Sequence, residues 1–152
     1  MYHSIKDIIN ISDEENKPFW QVVMESDMQE RGVTADISYA AMEKLYAAMK
    51  KADDDYRAEL ISASGLVGGD GGKLHIYNEA GKNICGDFIG LVMERAVKMG
   101  ESNACMRRIV AAPTAGSCGV IPAVFLTAQE QLNMTDEQIV HAMYVSAGVG
   151  NV

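Results

Sequence analysis

Two stretches of the chain carry residue types that could do chemistry. The first is Ile109-Val-Ala-Ala-Pro-Thr-Ala-Gly-Ser-Cys-Gly-Val-Ile-Pro-Ala-Val124, apolar but interrupted by two prolines and two glycines, with one thiol, Cys118, among small residues. Pro113 removes a backbone donor and drives Ala112 towards an extended conformation. Gly116 and Gly119 permit backbone angles closed to other residues and a close approach by another group. Pro122 suits the first turn of a helix running on through Ala123, Val124, Phe125 and Leu126. These features predict a buried small-residue turn that holds Cys118 at or near a helix N-terminus. Unpaired amides and the positive dipole end favour thiolate over thiol there. Such a thiolate is a nucleophile, a metal ligand or a buried bystander.

The second stretch, Ser62-Ala-Ser-Gly-Leu-Val-Gly-Gly-Asp-Gly-Gly72, holds five glycines in eleven residues, too many for a comfortable helix interior. Its plain reading is a connector between helices. Its sharper reading is phosphate binding by exposed glycine amides and Lys73. The spacing is neither a P-loop nor a dinucleotide fingerprint, and Asp70 would repel a phosphate. An amino acid fits the mixture better, with amides and Lys73 for its carboxylate and Asp70 for its ammonium.

Of the other thiols, Cys85 beside Gly86 and Cys105 in a helical stretch read most simply as buried small residues. A cysteine nucleophile needs a histidine and an orienting partner. His75 and His141 are available, but nothing in the sequence pairs them with Cys118, and His3 lies in a frayed end. Structural zinc needs clustered Cys and His, and an iron–sulfur cluster needs several thiolates. Local chemistry stops at one ligand or nucleophile of an incomplete site.

The elements that must position these groups read as helices. Ser4 with Asp7 forms a short capping motif for a helix through Ile5, Ile8 and Ile9. Pro18 opens a second, carrying Phe19, Trp20, Val22, Val23 and Met28 and stopped by Gly32. Thr34 or Asp36 caps a third, in which Tyr39, Met42, Leu45, Tyr46 and Met49 recur every three to four residues. Asp53-Asp54-Asp55 reads as its solvated end. Asp87 caps a fourth, with Phe88, Ile89, Leu91, Val92, Ala96 and Val97 inward. Thr135-Asp-Glu-Gln138 matches a capping box ahead of Ile139, Val140, Met143 and Tyr144. No internal repeat or period-2 strand pattern stands out, so the expected fold is all-α: a mainly helical domain with glycine-rich loops.

A length of 152 residues suits one domain with a real core, and 48% hydrophobic against 22% charged residues is a globular profile. The net charge of −8 argues against nucleic acid or an anionic membrane as partner. Most of that imbalance lies in the first 60 residues, which hold 13 of the 21 acids. The uncharged run Ile109–Ala128 is long enough to span a bilayer, but its prolines, glycines and hydroxyls make it buried interior. No signal peptide is visible, and three cysteines without close spacing suggest a reducing cytoplasm. Val145-Ser-Ala-Gly-Val-Gly-Asn-Val152 is apolar, glycine-rich and uncharged, as expected of a chain cut inside a larger fold.

At Ala111-Ala-Pro-Thr-Ala-Gly-Ser-Cys-Gly-Val-Ile-Pro-Ala123 the chain resembles the α subunit of the iron–sulfur-dependent L-serine dehydratases, or L-serine ammonia-lyases. Asp-Glu-Glu-Asn-Lys-Pro-Phe-Trp20, Glu-Arg-Gly32, Ser64-Gly-Leu-Val-Gly-Gly-Asp-Gly-Gly-Lys73, Cys85-Gly-Asp-Phe-Ile-Gly90 and Glu101-Ser-Asn-Ala-Cys-Met106 agree in order, so the resemblance covers essentially all 152 residues. It implies an oligomeric cytoplasmic lyase of amino-acid degradation. In it an α chain joins a β chain, and a [4Fe-4S] cluster converts L-serine to pyruvate and ammonia. It also implies that three cysteines hold three irons and that the fourth iron, as a Lewis acid, eases hydroxide loss while a protein base takes the Cα proton.

Cys118 matches the first cluster ligand. The other two belong to a Gly-Cys-Gln-like segment that follows the Ala-Gly-Val-Gly-Asn-Val stretch, and Cys85 and Cys105 match no ligand position. Ser64, Gly65, Gly69, Asp70 and Lys73 are expected to help bind serine, with Asn103 and Thr114 nearby. The base is left open, the β chain being one source. No pyridoxal phosphate is implied. With one ligand cysteine, residues 1–152, the N-terminal portion of the catalytic domain, are expected neither to keep a cluster nor to turn over serine alone. Beside this reading stand a helical phosphate- or nucleotide-binding module using glycine loop 64–73, and a helical interaction domain without chemistry of its own.

Overall fold

The helix signals are realised as seven helices in a computed structural model that describes residues 2–111 and 116–152. They are α1 (Ile5–Glu15), α2 (Phe19–Arg31), α3 (Ala35–Asp54), α4 (Asp70–Glu79), α5 (Asp87–Ala104), α6 (Ser117–Gln131) and α7 (Asp136–Gly150). The described residues contain no strand, so the fold is all-α as expected. No helix among them is long and apolar enough to cross a membrane.

Most ends follow local chemistry. The Ser4 hydroxyl accepts the Asp7 amide at 3.1 Å, while the Asp7 carboxylate accepts the amide of His3, at 2.9 Å. Asn16 and Gly32, in the left-handed region, end α1 and α2. Thr135 and Gln138 close the capping box of α7 in both directions.

Two expectations about where helices begin need correction. The glycine-rich stretch is only partly a loop, because α4 begins at Asp70 and takes Gly71 and Gly72 into its first turn. The helix led by Asp87 is therefore the fifth. Pro122 lies inside α6, which already begins at Ser117 behind Gly116 at φ +87°. With no N–H, Pro122 cannot donate to the carbonyl of Cys118 four residues back.

The chain forms two compact units, Met1–Leu45 with Thr135–Val152, and Tyr46–Met134. In the first, Ile8, Val22, Val23, Val140 and Tyr144 make the core, with Phe19, Trp20, Tyr39 and Met42 packed against it. His141 stacks on Trp20 with ring centroids 3.8 Å apart and meets Tyr39 edge-on, so it serves as an aromatic filler. The Ser38 hydroxyl donates its one proton to Asp27 at 2.6 Å, so the buried Tyr144 phenol is the donor in their 2.7 Å bond.

In the second unit α5 packs against both α4 and α6. The apolar face expected on α5 is only part of the story. Ile89 is exposed, whereas Gly90, Glu94, Met99, Glu101 and Ser102 are buried. Asp53, read as solvated, instead meets Arg95 at 3.2 Å, and Arg95 also binds Thr127 and Glu130. Burial pushes the Asp53 carboxyl up against the pull of Arg95.

Glycines give a direct test of the packing. A methyl at Gly148 on α7 would collide with Val23 on α2, while one at exposed, helical Gly100 meets nothing within 4 Å. Gly148→Ala is expected to cost about 1–3 kcal/mol by overpacking, and Gly100→Ala to stabilise by about 0.5–1 kcal/mol through helix propensity. Urea unfolding of the two variants checks both signs.

Candidate functional site

The glycine stretch and the helices beneath it form the most elaborate polar arrangement of the second unit. Ser62 closes a tight turn: its amide donates to the Val67 carbonyl at 2.8 Å, its carbonyl accepts from Gly65, and its hydroxyl accepts from Val67. The Ser64 hydroxyl lies 3.0 Å from that of Ser62 on an exposed rim. At Gly68, φ +144°, the chain passes so close to the Leu60 carbonyl that no side chain could be accommodated.

The chain then enters α4, whose first amides all meet internal oxygens. The Asp70 amide donates to Oε1 of Glu101 at 2.6 Å, and the Gly71 amide donates to Oε2 at 3.1 Å. The Gly72 amide donates to the Tyr56 hydroxyl at 3.1 Å, and that hydroxyl donates to Glu101 Oε2 at 2.6 Å. A Cβ at Gly71 would lie 2.7 Å from Lys98 Cγ and 3.2 Å from Glu101 Oε2, so only glycine admits the carboxylate. Burial, reinforced by the Glu101 carboxylate, pushes the Tyr56 phenol up to about 12, so it stays a donor.

A second cluster lies on the same face of α5, one and two turns earlier. Glu94, 2% exposed, accepts from Lys98 at 2.6 Å and from Asn78 at 2.9 Å, with His75 Nδ1 at 3.0 Å. Burial opposes its ionisation, but Lys98 and Asn78 outweigh burial and hold its carboxyl below the usual range. Lys98 Nζ also lies 5.5 Å from the Tyr56 ring, joining the two clusters. The Glu94 cluster borders a cleft of about 420 Å³ lined by Asp53, His75, Asn78, Glu94, Arg95 and Lys98 among others.

The residues singled out in the sequence are distributed as follows. Ser64, Gly65, Gly69, Asp70 and Lys73 all belong to the glycine turn and the start of α4. Asp70 and Lys73, given separate roles above, pair with each other at 2.8 Å, both largely exposed. Asn103 is exposed near the end of α5, and Thr114 lies outside the described residues. Cys118 is the second residue of α6, partly buried, and the next residue, Gly119, lies beside Ala96 and Met99 of α5.

Cys85 is exposed before α5, and Cys105 is the C-cap of that helix. Among the described residues no three His, Cys, Asp or Glu side chains converge as a metal site. The three thiols there, Cys85, Cys105 and Cys118, therefore do not come together as the ligand set of an iron–sulfur cluster. A phosphate at the α4 N-terminus would have to displace Glu101.

Sequence reasoning missed Tyr56, Glu94 and Glu101. The available signal was two glutamates seven residues apart on one face of a largely apolar helix, each awaiting a buried partner.

A family model described as "Serine dehydratase alpha chain" matches residues 14–152. The chain is 32% identical over its full length to the "Probable L-serine dehydratase, alpha chain" of Bacillus subtilis (strain 168), covering 51% of that protein. It is 28% identical to the "L-serine dehydratase, alpha chain" of Peptoniphilus asaccharolyticus, covering 52% of it. The chain thus spans about half the length of these curated relatives. No solved structure matches it significantly.

The Glu94 cluster predicts a pH dependence. Its carboxyl is held below the unfolded value, so its stabilisation is present above the carboxylate range and is lost as pH falls through it. Glu94→Gln is expected to cost about 1–3 kcal/mol at neutral pH, with the gap closing towards about pH 3. Urea unfolding at both pH values measures it; a gap independent of pH would mean that shape, not charge, holds the cluster.

Proposed function

The chain belongs to the serine dehydratase alpha chain family, and from that premise we propose that it is the N-terminal portion of the catalytic α chain of an L-serine dehydratase. The observation that carries this reading is the family match over residues 14–152, supported by relatives whose names specify L-serine dehydratase α chains. The reaction proposed is elimination from L-serine to pyruvate and ammonia. A β subunit is proposed as partner, consistent with the "alpha chain" in both names.

Within that reading, Cys118 supplies one thiolate ligand of an iron–sulfur cluster whose remaining ligands lie outside this chain. The thiol is partly buried in the first turn of α6, a helix packed against α5. The chain alone is proposed to be inactive.

The glycine turn is the proposed serine-binding element. With the Asp70, Gly71 and Gly72 amides engaged internally, the groups left for substrate are the side chains of Ser64, Asp70 and Lys73. Asp70 and Lys73 form an exposed ion pair, and exposed pairs contribute only about 0–1 kcal/mol. A zwitterionic amino acid can open that pair at little cost, its carboxylate meeting Lys73 and its ammonium meeting Asp70. Gly65 and Gly69 shape the turn, and Asn103 and Thr114 are proposed as neighbouring contacts.

In the complete enzyme, Ser64→Ala and Lys73→Ala are expected to raise KM for serine about 10- to 100-fold, the equivalent of a lost charged hydrogen bond. Steady-state kinetics at wild-type values would remove the turn from the substrate site. Cys118→Ala should lower iron and sulfide per α chain after anaerobic reconstitution. A stoichiometric cubane cluster on residues 1–152 alone would overturn the single-ligand assignment.

A further inference from the structure

We propose that Glu101 is the resident anion of the α4 N-terminus and that, with Tyr56, it positions the glycine turn for serine, whose own carboxylate binds elsewhere. The positioning role rests on the reading that the turn binds serine; the resident-anion geometry does not. Glu101 is 5% exposed, and no cation among the described residues is ion-paired with it. Its charge is met instead by two amides of the α4 first turn, the positive end of a ten-residue helix, and by the Tyr56 hydroxyl.

This arrangement explains the glycines without a ligand. Gly71 is required because a side chain there would press on Lys98, Tyr56 and Glu101. The left-handed turn at Gly69, φ +84°, aims the Asp70 and Gly71 amides inward at the carboxylate. An external carboxylate or phosphate finds these amides occupied. Asp70 and Lys73, by contrast, remain on the outer side with their side chains in solvent. The orientation of that substrate-facing pair is therefore set by a residue that lies under the loop and touches no substrate.

Three variants of this chain test the geometry, and Glu101→Ala in the complete enzyme tests its consequence. In this chain, Glu101→Ala is expected to shift the backbone amide resonances of Asp70 and Gly71, and acetate added at millimolar concentration is expected to return them towards their original positions. Glu101→Gln, which keeps the shape but adds a donor facing donors, should shift the same amides without responding to acetate. Tyr56→Phe should shift Gly72 most. Loop amides that ignore Glu101→Ala, or a Glu101→Ala chain that ignores acetate, overturn the resident anion.

In the complete enzyme, Glu101→Ala is expected to lower kcat/KM about 10²-fold, as a small misplacement of binding groups does, and acetate should recover part of that loss. A general loss of stability would not respond to acetate. If Ser64→Ala and Lys73→Ala impair turnover while Glu101→Ala does not, the positioning role falls and the serine-binding reading stands. If none of the three impairs turnover, the serine-binding reading falls and takes the positioning role with it.

Discussion

The second unit is organised around one demand: a carboxylate, that of Glu101, has been taken out of water and must be met by donors. A buried carboxylate without partners would neutralise or unfold its surroundings. Here the donors are backbone amides at the start of α4 and one phenol. That choice imposes the rest. The helix must begin at Asp70, the residues behind its first amide must be glycine, and Tyr56 must return from the end of α3 to close the remaining side. A lysine in place of the amides would have met the charge without shaping the loop.

α5 carries this constraint to the rest of the unit. One stripe of it, Gly90, Glu94, Lys98 and Glu101, faces α4 at the spacing of successive helical turns. Other positions, Arg95, Ala96 and Met99, meet α6 through Thr127 and Gly119. The helix that holds the glycine turn is thus also the helix against which the first turn of α6, with Cys118, is packed. In the proposed enzyme this gives the serine-binding turn and the cluster thiol a common support. Rigid common support matters because binding groups misplaced by about 1 Å lose most of their effect.

Legibility in the sequence followed the range of the interaction. Ser4, Gly32 and the Thr135–Gln138 box act within four residues of where they sit, and each was placed correctly from its neighbours. Ile139, Val140, Met143 and Tyr144 were recognisable as an inward face because helical period alone groups them. Asp53 and Glu94 were not readable in this way. A charged residue on a helix is ordinarily solvated, and Arg95 and His75, which meet these two, lie 42 and 19 residues away in the chain. Pro122 departs from expectation too: a proline is cheapest in a first turn, but α6 already begins at Ser117.

Residue chemistry and order alone were enough to establish an all-α chain, and they singled out Cys118 and the glycine stretch as candidates for chemistry. Those conclusions rest on backbone preferences and on ordered motifs, which exist before any folding. What approaches the glycines was decided by packing. The sequence suggested an external anion or amino acid, whereas the folded unit brings Glu101 and Tyr56 to the same amides across 30 residues and 16 residues of chain. The physical reason is that an exposed amide is equally attractive to any oxygen of suitable charge, and only the three-dimensional path of α5 determines that an internal carboxylate reaches it first.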